Sequence, residues 1–201
     1  MTSLTRKQGL TFAEYVALES ASDVRHELVD GEMYAMAGGS AAHSMLAVRF
    51  AAVLYPALRG SPCRVFGSDF RVVIPDGDFA TYPDLSIICG EIQRPEGDRH
   101  AATNPRVLVE VLSPSTEGYD RGGKFARYRR LPSLQEYVVV SQDRPLVEVY
   151  RRNADSTWTM TEAGPGGVVQ LGSVGATLSM DELYADVPPG DETPEPGPER
   201  A

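Results

Sequence analysis

The chain has 201 residues, 42% of them hydrophobic, and a formal net charge of −9. That length and apolar content support one buried core with appendages, and no apolar run approaches the roughly 18 residues of a membrane span. The opening MTSLTRKQGL lacks the apolar centre of a signal segment, so a soluble, cytoplasmic protein is expected, with no membrane association.

Cys63 and Cys89 lie in apolar contexts without CxxC spacing. Neither a disulfide framework nor a structural zinc site is expected, and both read as small buried residues. The negative charge argues on its face against a nucleic-acid partner, because phosphate binding is driven by Lys and Arg. It is unevenly spread, however. Residues 186–201 carry five acids against Arg200, whereas residues 121–130 hold five basic residues and no acid. Whole-chain charge therefore bears on solubility more than on any site.

In chain order, residues 11–20 (TFAEYVALES) place Phe12, Tyr15, Val16 and Leu18 at near-helical spacing behind a capping Thr. Asp30 and Gly31 in ELVDGEMYAMA give a two-residue hairpin signal. Apolar residues recurring at three and four from Ser40 to Leu58 predict the main helix, ending near Gly60. Three strands follow, at 64–74, 84–89 and 106–112, with the turn former PDGD between the first two and a polar loop over 90–105. A second helix is predicted over 120–131, ended by Pro132, then a hairpin of 136–141 and 146–151. Short strands at 158–161 and 168–171 and a last helix at 179–184 complete one domain spanning 1–187. The acidic, Pro-rich tail over 188–201 reads as disordered. This order indicates a mixed α/β or α+β domain around one central sheet.

Within RVLVEVLSPST, Glu110 interrupts a strand that otherwise reads as buried on both faces. A buried ionised carboxylate costs several kcal/mol unless a cation, a metal or hydrogen bonds compensate it. Asp84, by itself, reads most simply as a strand-initiating residue hydrogen-bonded in a turn. If its strand neighbours that of Glu110, however, two carboxylates converge at a sheet edge. Both then repel unless a divalent cation neutralises them, and such a pair with retained waters suits Mg²⁺. The competing explanation is an ion pair of Glu110 with Arg71 or Arg121. In YDRGGKFARYRR, Asp120 reads as an N-cap, and Lys124 and Tyr128 share a face four residues apart. Gly122 and Gly123 in its first turn favour close approach over stability. Lys124 could equally be a solvated surface lysine, and only its place one loop after Glu110 singles it out.

The succession YPD (82–84), VEVLSPST (109–116) and DRGGKFARYRR (120–130) resembles the large bacterial Uma-type family of restriction-endonuclease-like proteins, placed in the PD-(D/E)xK nuclease superfamily. The resemblance runs from TFAEYVAL and HELVDGEMYAM through AAHSMLAVRF to LQEYVVV. It implies a restriction-endonuclease-like core of mixed sheet flanked by helices. It also implies that Asp84 and Glu110 are the motif acids that hold Mg²⁺ or Mn²⁺. The superfamily's usual lysine position falls on Leu112, a departure, and Lys124 looks like its migrated replacement. Glu27 resembles the family's early glutamate, a further acid for the site, although an exposed hairpin Glu would read the same. His43 matches a family position, where a hydrogen-bonded structural role is favoured over a catalytic one.

Asp120 and Tyr128 are expected to orient the lysine. Arg121 and Arg127, with Arg129 and Arg130, are candidates for phosphate contacts, although a solvated helix face would look the same. The resulting expectation is a metal-dependent endonuclease acting on DNA, as a homodimer suited to cutting both strands. Two alternatives stay open: a nuclease fold that serves only as a binding or assembly module, and a hydrolase of a smaller phosphoester.

Overall fold

The computed structural model describes residues 9–36, 38–74 and 76–188. Apart from Pro188, the tail expected to be disordered lies outside them. Helix α1 (Phe12–Ser20) starts in a reciprocal capping box: the Thr11 side chain accepts from the Glu14 amide, and the Glu14 carboxylate accepts from the Thr11 amide. Strands β1 (His26–Val29) and β2 (Glu32–Ala35) are joined by Asp30 and Gly31, at φ 51° and 80°. Both turn residues occupy the left-handed region that matches hairpin twist. Helix α2 (Ala41–Ala57), capped by Ser40, buries Leu46, Phe50 and Leu54 at four-residue spacing.

The remaining strands are β3 (Cys63–Gly67), β4 (Arg71–Val73), β5 (Phe79–Thr81), β6 (Leu85–Cys89), β7 (Ala101–Ala102), β8 (Val107–Leu112), β9 (Glu136–Ser141), β10 (Val147–Arg152), β11 (Trp158–Ala163), β12 (Val168–Leu171) and β13 (Ala176–Ser179). They form a six-stranded sheet β11-β10-β9-β8-β6-β3, a five-stranded sheet β2-β1-β5-β4-β7 and the hairpin β12-β13. The fold is mixed α/β as expected, but it has no single central sheet. The predicted strand 64–74 is two strands in different sheets, because the chain turns where the Phe70 amide donates to the Gly67 carbonyl. Apolar residues on both sides of that turn conceal it in the sequence. Strands β5 and β7, of three and two residues, are too short to leave a periodic signal.

Strand β8 is buried along its whole length, between antiparallel β6 and parallel β9. Its alternation assigns two interfaces. Val107, Val109 and Val111 join the core containing Leu46, Phe50 and Leu54 of α2. Leu108 and Leu112 join a second core with Val72 and Phe79 of the smaller sheet and with Tyr128 and Tyr137. Glu110 belongs by period to this second face, so its carboxylate enters the space between the two sheets.

The reading of the cysteines as separate buried residues is overturned. Cys63 and Cys89 are directly opposed in the β3–β6 register and form a disulfide, and both are partly exposed. Their proximity arises from strand pairing across 26 residues of sequence, which spacing alone does not reveal. Replacing both by serine should lower unfolding free energy by about 3 kcal/mol, read by urea denaturation without reductant. An unchanged midpoint would show that the cross-link does not form.

Candidate active site

The segment after β8 is helical from 117 to 128 but irregular: α3 (Glu117–Tyr119), a π-helical turn (Asp120–Lys124) and α4 (Phe125–Tyr128). Asp120 is therefore not the N-cap; the helix begins after Thr116, one turn earlier than predicted. The Ser113 carbonyl accepts from the Thr116 and Glu117 amides and starts the turn there. Gly122 and Gly123 fall within the wide π turn, where a β-carbon on Gly123 would lie 3.0 Å from the Tyr119 ring. π turns of this kind concentrate at functional sites.

This turn carries Lys124 into the space between the sheets. Its Nζ lies 2.9 Å from Glu110 Oε1, 3.4 Å from Glu27 Oε1 and 3.6 Å from Asp120 Oδ1. Tyr128 donates its hydroxyl to the same Glu110 Oε1 at 2.6 Å. All five residues are buried, with Glu27, Glu110, Asp120 and Lys124 exposed by only 4, 5, 4 and 7%. Lys124 is thus not a surface lysine, Glu27 is not an exposed hairpin residue, and Glu110 is paired with an ammonium. Arg71 instead binds Asp98, and Arg121 binds Glu148 and Glu117.

Asp84 sits one residue before β6. The β6–β8 pairing begins at Leu85, which opposes Val109, so Asp84 lies at the β6 end beside Glu110 and Val111 of β8. Asp84 Oδ2 accepts from the Val111 amide at 2.7 Å and lies 3.3 Å from His43 Nε2 at the start of α2. A β-carbon on Gly39 would lie 2.7 Å from His43 Nδ1, so glycine at 39 makes room for the imidazole. His43 is thus hydrogen-bonded to Asp84. Thr81, which sequence reasoning missed, donates to Glu27 Oε1 at 2.5 Å. A threonine in a three-residue strand carries no pattern that could have marked it.

Burial pushes the Glu110 carboxyl up to about 8 against the pull of Lys124, with Asp84 and Asp120 adding repulsion. Burial alone would lower Lys124, but Glu110 and Glu27 outweigh it and hold the ammonium well above its ordinary value. Burial likewise opposes protonation of His43, and its contact with Asp84 raises it overall. Among the described residues, no group of three or more His, Cys, Asp or Glu side chains forms a ready metal cage.

The remaining candidates lie outside this cluster. Arg121 binds Glu148 at 2.6 Å, Arg127 is paired with Asp30, and Arg130 with Asp76 and Asp78. Arg129 lies over the Phe125 ring. Phosphate contacts by Arg121 or Arg127 would have to compete with these carboxylates. Leu112, where the resemblance implies a lysine, is buried in the apolar core.

Residues 12–181 match the Uma2 family, described as "Putative restriction endonuclease". The chain belongs to that family. It is 37% identical over 171 residues to the uncharacterized Synechocystis protein slr1290, covering 85% of this chain and 89% of the relative. A second Synechocystis protein, sll1609, is 35% identical over 153 residues, covering 76% and 86%. The fold matches the crystal structure of "a putative nuclease belonging to DUF820" from Anabaena variabilis, with a TM-score of 0.72, 20% identity and coverage of 88% of this chain and 98% of that one. Among the described residues, no helix is long and apolar enough to cross a membrane.

Two outcomes follow from the cluster. Lys124→Met leaves three buried acids without their cation and should cost about 3–5 kcal/mol in chemical denaturation. For Glu110, the folded carboxyl is raised from 4.5 to about 8. Its contribution to stability is therefore fully present below the unfolded value and lost as pH rises through about 8. Urea midpoints should fall across that window in the wild type, and a Glu110→Gln variant should show a flatter profile.

Proposed function

We propose that the protein is a metal-dependent endonuclease that hydrolyses phosphodiester bonds of DNA. The observation that carries this reading is the nearness of Asp84, held by the Val111 amide, to Glu110 one residue earlier on β8, with the Lys124 ammonium 2.9 Å from Glu110. Membership of the family described as "Putative restriction endonuclease" supports it.

The donor chemistry fits a hard divalent cation. The hydrogen bonds and ion pairs of Asp84 run to Oδ2 and those of Glu110 to Oε1, so each carboxylate keeps a second oxygen. Two carboxylates completed by water and substrate phosphate are what Mg²⁺ commonly accepts. A full protein cage is not required. Asp84 and Glu110 would hold Mg²⁺ or Mn²⁺, which when bound polarises the phosphate and lowers the pKa of a coordinated water.

The protein's own groups then have distinct tasks. Lys124, kept charged by the surrounding acids, stabilises negative charge developing on the phosphoryl oxygens. Tyr128 and Asp120 fix the direction of its side chain, and Glu27, held by Thr81, completes the acidic wall around it. His43 holds Asp84 Oδ2 and leaves the other oxygen available. Two copies related by a two-fold axis would address the two strands of a duplex.

A second reading, a nuclease fold used as a binding or assembly module, draws on the neutralised arginines beside the site. Plasmid cleavage separates the two. Purified protein should cut in Mg²⁺ or Mn²⁺, and Asp84→Asn or Glu110→Ala should abolish cutting while leaving the circular dichroism unchanged. Equal inertness of wild type and both variants on duplex and single-stranded DNA would leave the module reading in possession.

A further inference from the structure

Asp84 stands where the chain passes from the smaller sheet to the larger one. Thr81 ends β5 and Leu85 begins β6, so Tyr82, Pro83 and Asp84 form the crossing. Thr81 reaches Glu27 in the acid cluster, but the next residue engages a different buried network. The Tyr82 hydroxyl donates to Glu19 Oε1 at 2.7 Å and accepts from Arg71 Nε at 2.9 Å. Arg71 is in turn ion-paired with Asp98 at 2.6 Å, and its guanidinium lies 5.2 Å from the Tyr82 ring centre. Glu19 also accepts from the His26 amide at 3.0 Å, at the residue preceding Glu27.

Burying a carboxylate and a guanidinium to secure a crossing is costly, and apolar packing would hold a loop with less desolvation. What the polar arrangement adds is direction. A phenol that donates to one fixed group and accepts from another has its ring and hydroxyl set at once, and the backbone that carries it is set with them. The backbone so fixed lies two residues before Asp84.

We infer that Tyr82 is a positioning residue for Asp84, its hydroxyl held between Glu19 and Arg71 so that the crossing delivers the Asp84 carboxylate to the end of β8. This rests on the reading of Asp84 as a functional acid of the site. Tyr82 touches neither Glu110 nor Lys124 and acts only through the chain. Its effect is on where Asp84 lies.

The Val111 amide, which donates to Asp84 Oδ2 at 2.7 Å, reports that placement without any need for catalysis. In Tyr82→Phe, hydrogen exchange at Val111 should accelerate by about tenfold or more, while amides of β10 and β11 keep wild-type rates. Cleavage should lose kcat with KM for DNA unchanged. Glu19→Gln should act in the same direction and carries the test if Tyr82→Phe fails to fold. Tyr184→Phe is the control, since that hydroxyl donates to the carbonyls of Ser141 and Leu146 and has no link to the crossing. The inference is overturned if Val111 exchange in both crossing variants matches wild type, or if Tyr184→Phe accelerates it equally. Selective loosening of Val111 in a protein whose wild type cuts no DNA would uphold the positioning role and reject the nuclease reading.

Discussion

A single ammonium group organises the centre of this molecule. Lys124 lies between the two sheets within reach of Glu110, Glu27 and Asp120, three acids contributed by β8, β1 and the π turn. Without it, β8 would carry an uncompensated carboxylate in its buried middle, and the sheets would face each other across like charges. With it, one cation ties the smaller sheet, the larger sheet and the helical segment together. Three acids share this one base, and burial holds the Glu110 carboxyl toward its protonated form, so the balance of charge there depends on pH.

The π turn brings Lys124 to Glu110 from the helical segment, while Leu112, two residues after the acid on β8, is apolar. Lysine at 112 would share a strand face with Glu110, two residues away. Lys124 instead approaches from across the space between the sheets, and Leu112 is released to pack with Tyr128 and Tyr137. The ammonium meets the same acid from a different element. The surface nearby is less suited to a polyanion than the sequence implied, since Arg121, Arg127 and Arg130 each already face a carboxylate.

Much of this was legible in the amino-acid sequence because the signals were local or periodic. The Thr11 cap, the Asp30–Gly31 turn, the spacing of α2 and the anomaly of Glu110 each lie within a few consecutive residues. So does the helical spacing that sets Lys124 beside Tyr128. What the sequence concealed depends on pairing across distance. The division of 64–74 between two sheets, the Cys63–Cys89 bond and the Thr81–Glu27 contact all arise from strand order, which no window of residues encodes. The misplaced start of the second helix has a local cause. Asp120 has the side chain of a good cap, but the turn at Ser113 begins the helix before it, and Asp120 turns inward to the lysine.

The alternation of β8 has one more implication, for the fidelity of folding. Its apolar residues are so alike that a slip of one position against β6 would sacrifice little hydrophobic contact, since valines and leucines would exchange places across the strand. The acid alone makes the two alignments unequal: in the shifted frame Glu110 would be thrust among Leu46, Phe50 and Leu54 with no basic group beside it. A residue that costs stability where it stands therefore guards the alignment of the whole sheet, independently of any chemistry it performs.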